Sequence, residues 1–175
     1  KGGVALLWVE DHNLFEIKIV RFHMPDVLTF KLVTGDSKWF VVSGYIAPKD
    51  DKTGDEIRKR IDQCPDGYKT LLLGDFNASL CVPMTAHNDN IADMADEFNL
   101  SELTRHYKQR GGTRGGQQWS WRMCCLGQWV ALQPDYILVE TGDKKLFTNA
   151  SFRTPRWHNL DHRAIVTRLR VRGRG

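Results

Sequence analysis

Strand-like segments in pairs are the feature that most restricts the fold of this chain. Residues 14–22 alternate apolar and charged side chains, and two further apolar runs, residues 27–34 and 38–48, are separated by a turn containing Gly35 and Asp36. Alternation with a period of two is typical of strands with one buried face, and a short glycine turn between two such runs predicts an antiparallel hairpin. The same reasoning predicts an earlier hairpin, in which residues 2–9 pair with residues 14–22.

Two segments have helical periodicity. Residues 49–64 form a charged amphipathic pattern that predicts a helix from about Thr53, with Ile57 and Ile61 on its buried side. Residues 88–100 space their apolar side chains at helical intervals. Further strands are predicted in "WSWRM", "PDYILVE" and "NLDHRAIVTRLRV". Strands interrupted by a few helices, without regular alternation, predict an α+β architecture with packed sheets and outer helices.

The size of the chain favours one domain. Its 175 residues are enough for one well-buried core, and we assign residues 1–171 to it, with residues 172–175 as a basic tail or the start of a linker. No apolar stretch approaches the ~20 residues of a membrane span. The four cysteines show no paired metal-binding spacing. We therefore expect reduced thiols, an intracellular location and no membrane partner.

Charge is distributed unevenly along the chain. Residues 1–100 contain 16 acidic and 11 basic residues, whereas residues 101–175 contain 5 acidic and 14 basic ones. Basic side chains interleaved with tryptophans are typical of surfaces that bind phosphates and stack on bases, although a solvated loop gives the same pattern. The candidate nucleic-acid-binding residues are Arg105, Lys108, Arg110, Arg114, Trp119, Arg122, Arg153 and Arg156.

Polar side chains recur at the ends of the apolar strands. Asp75 and Asn77 follow the run "KTLLLG", and because they are two residues apart they are delivered to the same side of a strand. Tyr45 ends an earlier strand, Asp135 begins a later one, and Asp161 with His162 precedes the last strand. Each alone also fits an ordinary turn. Together they predict a single polar site where several strands end.

The motifs "GDFNA", "PDYILV" and "LDHRAIV", with Tyr45 upstream in "GYIAP", resemble the endonuclease/exonuclease/phosphatase superfamily. The full pattern is most similar to the apurinic-like endonuclease domains of LINE-type non-LTR retrotransposons, and the resemblance covers residues 2–171. It implies a four-layer αββα sandwich of two packed, mainly antiparallel sheets with outer helices. It also implies hydrolysis of phosphodiester bonds in DNA, with Mg²⁺ as cofactor and Mn²⁺ as an alternative.

The resemblance assigns a role to each residue of the polar site. Asp75 would orient or deprotonate the attacking water, and Asn77 and Tyr45 would donate to the phosphate. His162 would stabilise charge on the phosphoryl oxygen, Asp135 would fix the orientation of His162, and Asp161 would face the metal. These groups suit phosphodiester cleavage because that reaction requires an activated water, a neutralised phosphate and fixed donors.

The sequence departs from the family pattern in two places. The family's N-terminal strand and helix, with an Asn and a metal-binding Glu, have no counterpart here, and Leu160 stands where the family has Ser. We therefore expect weak metal binding and slow cleavage, and keep two alternatives. One is a non-catalytic derivative acting as a binding or structural subunit. The other is a nuclease or phosphatase acting on RNA or another phosphoester.

The resemblance also suggests partners and a location. DNA is the expected partner, with RNA as the alternative. An adjoining reverse transcriptase, or a larger assembly that covers the place of the family's N-terminal strand, is a further expectation. A retroelement protein of this kind would act in the nucleus.

Overall fold

The computed structural model describes residues 4–7, 15–48, 50–78, 80, 86–107, 119–154 and 161–170. The described strands are β1 (Glu16–Met24), β2 (Val27–Thr34), β3 (Ser37–Tyr45), β4 (Lys69–Asp75), β5 (Leu100–Glu102), β6 (Trp121–Cys125), β7 (Gln128–Leu132), β8 (Asp135–Glu140), β9 (Phe147–Arg153) and β10 (Ala164–Leu169). The described helices are α1 (Asp51–Asp62), α2 (Ala86–Glu97), the short α3 (Leu103–His106) and a 3-10 helix (Thr141–Leu146).

A six-stranded sheet forms the centre of the fold. Its strand order is β1-β2-β3-β4-β8-β5, and β3 and β4 run parallel whereas the other neighbours are antiparallel. The hairpin expected around Gly35 and Asp36 is present as β2 and β3, and Gly35 adopts a positive φ of 52° in its turn. The parallel step from β3 to β4 is made through α1, as parallel neighbours require.

Helices α1 and α2 cover one face of this sheet. The carboxylate of Asp50 caps α1 by accepting from the backbone N–H groups of Lys52 and Thr53, which satisfies donors that a helix start leaves unpaired. Ile57 and Ile61 are buried against the sheet, as expected. The two helices are joined by Arg58.

The core has two parts, one on each face of the six-stranded sheet. On the helical side, Leu72 and Phe76 of the β4 region pack with residues of α1 and α2. On the opposite side, Trp39 and Val41 of β3 pack with Phe147 and Ala150 of β9. The antiparallel pair β9–β10 is therefore a second sheet stacked on the first. This arrangement confirms an α+β fold with packed sheets, and the described residues supply one helical layer and both sheet layers.

Some strand partners differ from the sequence-based expectation. β1 pairs with β2, and residues 4–7, which we expected to pair with it, are described without strand structure; Val4 instead donates a backbone hydrogen bond to Pro25. Strands β5, β7 and β9 were not predicted. β5 has three residues and β7 is mostly exposed, whereas β9 interrupts its buried residues with polar ones and lacks a regular alternation. Cys64, Cys124 and Cys125 are free thiols. Among the described helices, none has the length and apolar character needed to cross a membrane.

Candidate active site

Three neighbouring strands bring Tyr45, Asp75 and Asp135 into one row, which we call the polar row. The parallel register of β3 and β4 pairs Tyr45 with Asp75, and the antiparallel register of β4 and β8 pairs Asp75 with Asp135. Directly paired residues have Cβ atoms about 5 Å apart on the same face of the sheet. Residues separated by up to 90 positions in the sequence are therefore neighbours in the structure.

The polar row lies on the face that carries the second sheet. Leu71 and Leu73 precede Asp75 by four and two residues, and both pack in the core between the two sheets. Because side chains alternate along a strand, Asp75 points to the same side as these leucines. Ile137 and Val139 place Asp135 on that side by the same argument. The row therefore faces the start of β10, where the Asp161–His162 pair lies.

The imidazole of His162 contacts the polar row directly. Its Nδ1 lies 3.0 Å from Oδ2 of Asp135, which is within hydrogen-bond reach, as we expected if the two residues act together. The backbone on both sides of His162 is fixed. Arg122 N donates to the Asp161 carbonyl at 3.0 Å, and Arg163 N donates to the Ser120 carbonyl at 2.6 Å. A bridge between Trp121 and His162 completes this connection to β6.

Asn77 has a structural task in addition to its proposed contact with phosphate. Its backbone N–H donates to Oδ1 of Asp75 at 3.0 Å, and its Nδ2 donates to the carbonyl of Ile46 at 2.9 Å. Its φ of 46° is in the left-handed region, which asparagine tolerates better than most residues. Asn77 thus fixes both the carboxylate of Asp75 and the segment that follows Tyr45.

Asp75, Asp135 and His162 could together hold a metal ion, since one ligand atom from each lies within 4.8 Å of the others. Asp161, the metal ligand suggested by the sequence, is not in this group among the described residues. It is exposed, and its Oδ2 accepts a hydrogen bond from Nε1 of Trp121 at 3.2 Å. The structure therefore places Asp161 beside the site, on the same segment as His162.

Burial raises the pKa of the Asp75 carboxyl above its usual value. The negative charges of Asp135 and Asp161 also raise it, whereas the hydrogen bond from the Asn77 backbone and the ring of His162 lower it. The net upward direction means that the ionised carboxylate is poorly solvated and crowded by like charges. Such a group is a better proton acceptor than an ordinary aspartate and is a typical partner for a cation.

The basic residues are distributed over more than one part of the surface. Arg122 stacks on Trp119, with its guanidinium carbon 4.8 Å from the ring centroid. Arg153 pairs with Ala164, two residues after His162, so it lies at the same end of the second sheet as the site. Arg105 is exposed on α3, after the edge strand β5. Four further candidates lie outside the described residues: Lys108, Arg110, Arg114 and Arg156.

Ser120 is a site residue that the sequence did not reveal. It is fully buried, its Oγ accepts from the Asp135 backbone N–H at 3.2 Å, and its own N–H donates to the Leu132 carbonyl at 3.0 Å. Together with the bond from Arg163, these contacts join the β6–β7 hairpin to both members of the Asp135–His162 pair. A single serine between two tryptophans carries no motif, so only the strand pairing identifies it.

Solved nuclease structures have this fold. The endonuclease domain of TRAS1, a telomere-specific non-LTR retrotransposon, is 17% identical with a TM-score of 0.68, over 93% of this chain and 72% of that chain. The 3′ phosphatase NExo from Neisseria, bound to product DNA hairpin, is 14% identical with a TM-score of 0.61, over 85% and 66%.

An AP endonuclease from Archaeoglobus fulgidus is 12% identical with a TM-score of 0.62, over 89% of this chain and 72% of that chain. No family model and no curated protein matches the sequence. At these identities the comparisons establish the fold. This chain is therefore similar in fold to endonuclease/exonuclease/phosphatase-type nucleases, in agreement with the resemblance of its motifs.

Proposed function

We propose that this chain hydrolyses phosphodiester bonds in DNA with the help of a divalent metal ion, as an endonuclease domain of the retrotransposon type. The observation that carries the proposal is the Asp135–His162 contact, which lies beside Asp75 on the polar row. The solved structures that share the fold include a retrotransposon endonuclease domain and a phosphatase bound to DNA. The motif order seen in the sequence supports the same activity.

Each group has a role that follows from its position. Asp135 binds Nδ1 of His162 and thereby orients the ring. When the imidazole is protonated at both nitrogens, Nε2–H can donate to a phosphoryl oxygen and stabilise its developing charge. Asp75, with its raised pKa, accepts a proton from the attacking water or orients it. Tyr45 and Asn77 flank Asp75 and would donate to the phosphate.

The carboxylates fit a hard divalent cation. One ligand atom each of Asp75, Asp135 and His162 lies within 4.8 Å of the others. The charges of Asp135 and Asp161 raise the pKa of Asp75, so a cation bound here would relieve that repulsion. Asp135 is already engaged with His162. We therefore propose Asp75 as the ligand from this group, and Asp161 as the ligand that the motif resemblance implies. Mg²⁺ is preferred, with Mn²⁺ as a substitute, because Mg²⁺ is held by one or two carboxylates, waters and substrate phosphate. When bound, the ion would neutralise charge on the phosphate.

The test is nicking of supercoiled plasmid by the chain with Mg²⁺, with Mn²⁺ and with EDTA. We expect metal-dependent nicking that is abolished by His162→Ala. The matched control is His106→Ala, which removes an exposed histidine on α3. Binding of DNA without cleavage in the presence of either metal would instead favour a non-catalytic derivative. Cleavage of an RNA oligonucleotide in preference to DNA would move the proposal to an RNA substrate.

DNA binding is tested separately by fluorescence anisotropy at several salt concentrations. Affinity should fall steeply as salt rises, because each phosphate contact releases counterions. Arg153→Gln should reduce the slope of log K against log salt by about 1, as expected for loss of one phosphate contact. Lys145→Gln is the control, since Lys145 lines a cavity beside Lys69, at the end of β4 opposite Asp75. An unchanged slope in the Arg153 variant would contradict this part of the proposal.

A further inference from the structure

A chain of stacked aromatic rings and guanidinium groups connects the β6–β7 hairpin to the segment that carries His162. The guanidinium carbon of Arg122 lies 4.8 Å from the ring centroids of both Trp129 and Trp119. The guanidinium carbon of Arg163 lies 4.5 Å from the same Trp119 ring and 5.8 Å from Phe152. Trp119 is thus the shared member of the stack, and Phe152 anchors its other end in the core.

The stack acts immediately next to His162. Arg163 follows His162 directly, and its backbone N–H is already bound to Ser120, the neighbour of Trp119. The Nε of Arg163 is buried and has no hydrogen-bond partner among the described residues. Among the described residues, the faces of Trp119 and Phe152 therefore stabilise this guanidinium, and cation–π contacts are stronger when desolvated. Loss of the Trp119 ring would remove one of the two aromatic faces that contact this half-buried cation.

The residue on the other side of His162 is held by the same strand. Asp161 accepts hydrogen bonds from Nε1 of Trp121 and, through its carbonyl, from the Arg122 N–H. The two tryptophans at the base of the hairpin therefore hold both neighbours of His162, Trp121 through a hydrogen bond and Trp119 through a stacked cation. These contacts fix the backbone on both sides of His162, from which the imidazole reaches Asp135.

We infer that Trp119 is a positioning residue: held by Arg122 and Arg163, it fixes the segment of His162 and so keeps the imidazole on Asp135. This inference rests on the proposed function, because it treats His162 as catalytic. It also assigns Trp119 a different role from the one the sequence suggested, which was stacking on the bases of a nucleic acid. A base-stacking residue contributes to substrate affinity, whereas a positioning residue contributes to the rate of the chemical step.

The first experiment needs no substrate. The chain labelled with ¹⁵N-histidine is compared with its Trp119→Ala, Trp119→Phe and Phe22→Ala variants by NMR at one fixed pH. We expect Trp119→Ala to change the ring ¹⁵N shifts of His162, which report its tautomer and its bond to Asp135. Trp119→Phe, which keeps an aromatic face, should restore them. Phe22→Ala removes an exposed ring from β1, at the edge of the six-stranded sheet, and should change nothing.

The second experiment measures kcat and KM for DNA cleavage. Trp119→Ala should lower kcat by about 100-fold, the cost of a small displacement of a reacting group, with KM within about twofold of its original value. Trp119→Phe should recover most of the rate. An increase in KM at constant kcat would overturn the inference in favour of base stacking, and unchanged His162 signals in Trp119→Ala would overturn it outright.

A second variant protects the test against misfolding. If Trp119→Ala lowers the melting temperature strongly, Arg163→Met, which keeps the aliphatic stem and removes the stacked cation, should give the same change in the His162 signals. Its failure to do so would refute the role of the stack. If no variant or parent cleaves DNA, the proposed function fails, while the NMR result still decides whether Trp119 positions His162.

Discussion

Replacing Asp75 with asparagine should stabilise the fold while abolishing cleavage. The carboxyl of Asp75 has a raised pKa, chiefly because it is buried and also because Asp135 and Asp161 repel it. Its ionised form therefore opposes folding at neutral pH. Asparagine has nearly the same shape, and its Oδ1 can still accept the hydrogen bond that Asn77 N donates at 3.0 Å. The substitution removes the unfavourable charge and keeps the local structure.

The expected gain is about 1 kcal/mol in the free energy of unfolding, within the range usual for a single stabilising substitution. For a chain of this size that corresponds to a rise in Tm of about 2–4 °C. Cleavage should fall by about 10²–10⁴-fold, the usual contribution of a general base. The two effects have opposite signs, which distinguishes a functional carboxylate from a structural one.

The pH dependence gives a second check on the same reasoning. A carboxyl whose pKa is higher in the folded than in the unfolded state opposes folding above its folded pKa, and this cost disappears as the pH falls below its unfolded pKa. The stabilisation by Asp75→Asn should therefore be largest at neutral pH and fade on acidification, when the parent carboxyl also becomes neutral.

Tm is measured by circular dichroism from pH 7 downward, with Asp66→Asn, an exposed turn carboxyl, as the control. A lower Tm at pH 7, or a gain that grows on acidification, would refute the electrostatic argument.

Three further changes test the site and its support. Asp135→Asn keeps the shape of the side chain but removes the charge that orients the imidazole of His162. It should lower kcat in the nicking assay by about 10³–10⁴-fold, as in other carboxylate–histidine pairs, with little change in Tm. Gly74→Ala should lower the free energy of unfolding, measured with urea, by more than about 2 kcal/mol. Its φ is 154°, and the new Cβ would lie 1.8 Å from a carbonyl oxygen of the neighbouring strand. Gly142→Ala is the control, because its new Cβ meets no atom within 4 Å. Arg58→Ala removes two hydrogen bonds to Asn90 and should lower the free energy of unfolding by about 1–3 kcal/mol without changing kcat.

Local sequence patterns predicted the strands that carry the site residues, but not how those strands pair. The apolar run in "KTLLLGDFN" correctly placed Asp75 at the end of a buried strand, and the "PDYILV" motif placed Asp135 at the start of another. The pairing of these two residues depends on β8 lying beside β4, a contact between segments 60 positions apart that no local pattern specifies. Strand register therefore had to come from the structure.

The contacts of Ser120 and Trp119 could not be predicted from the sequence either, because they also join segments that are distant in the chain. Basic and aromatic residues near position 120 indicated a nucleic-acid surface, and the pattern could not separate side chains that face solvent from side chains that face each other. The structure shows that Arg122 and Arg163 both contact Trp119. Arg122, which the sequence suggested as a phosphate-binding residue, is thus partly committed to an internal stack.

The two faces of the six-stranded sheet differ at the end where the polar row lies, and this difference explains why the site forms between the two sheets. One residue before the polar row, the strands carry Gly44 and Gly74, which are paired in register and lie on the helical side. A Cβ on Gly44 would lie 2.5 Å from Cδ1 of Ile57, so the absence of a side chain lets α1 approach closely and close that face with apolar groups.

On the other face, no helix of the described part of the chain lies against the polar row. His162, just before β10, lies there instead, against Asp135. Charged groups on the helical face would be buried in an apolar core, at a cost of several kcal/mol each. On the inter-sheet face they remain partly exposed, with Asp161 in solvent beside them and a neighbouring hairpin to orient them. Because side chains alternate along a strand, two successive residues serve different purposes. Gly74 faces the helices and allows close packing, whereas Asp75 faces the second sheet and belongs to the site.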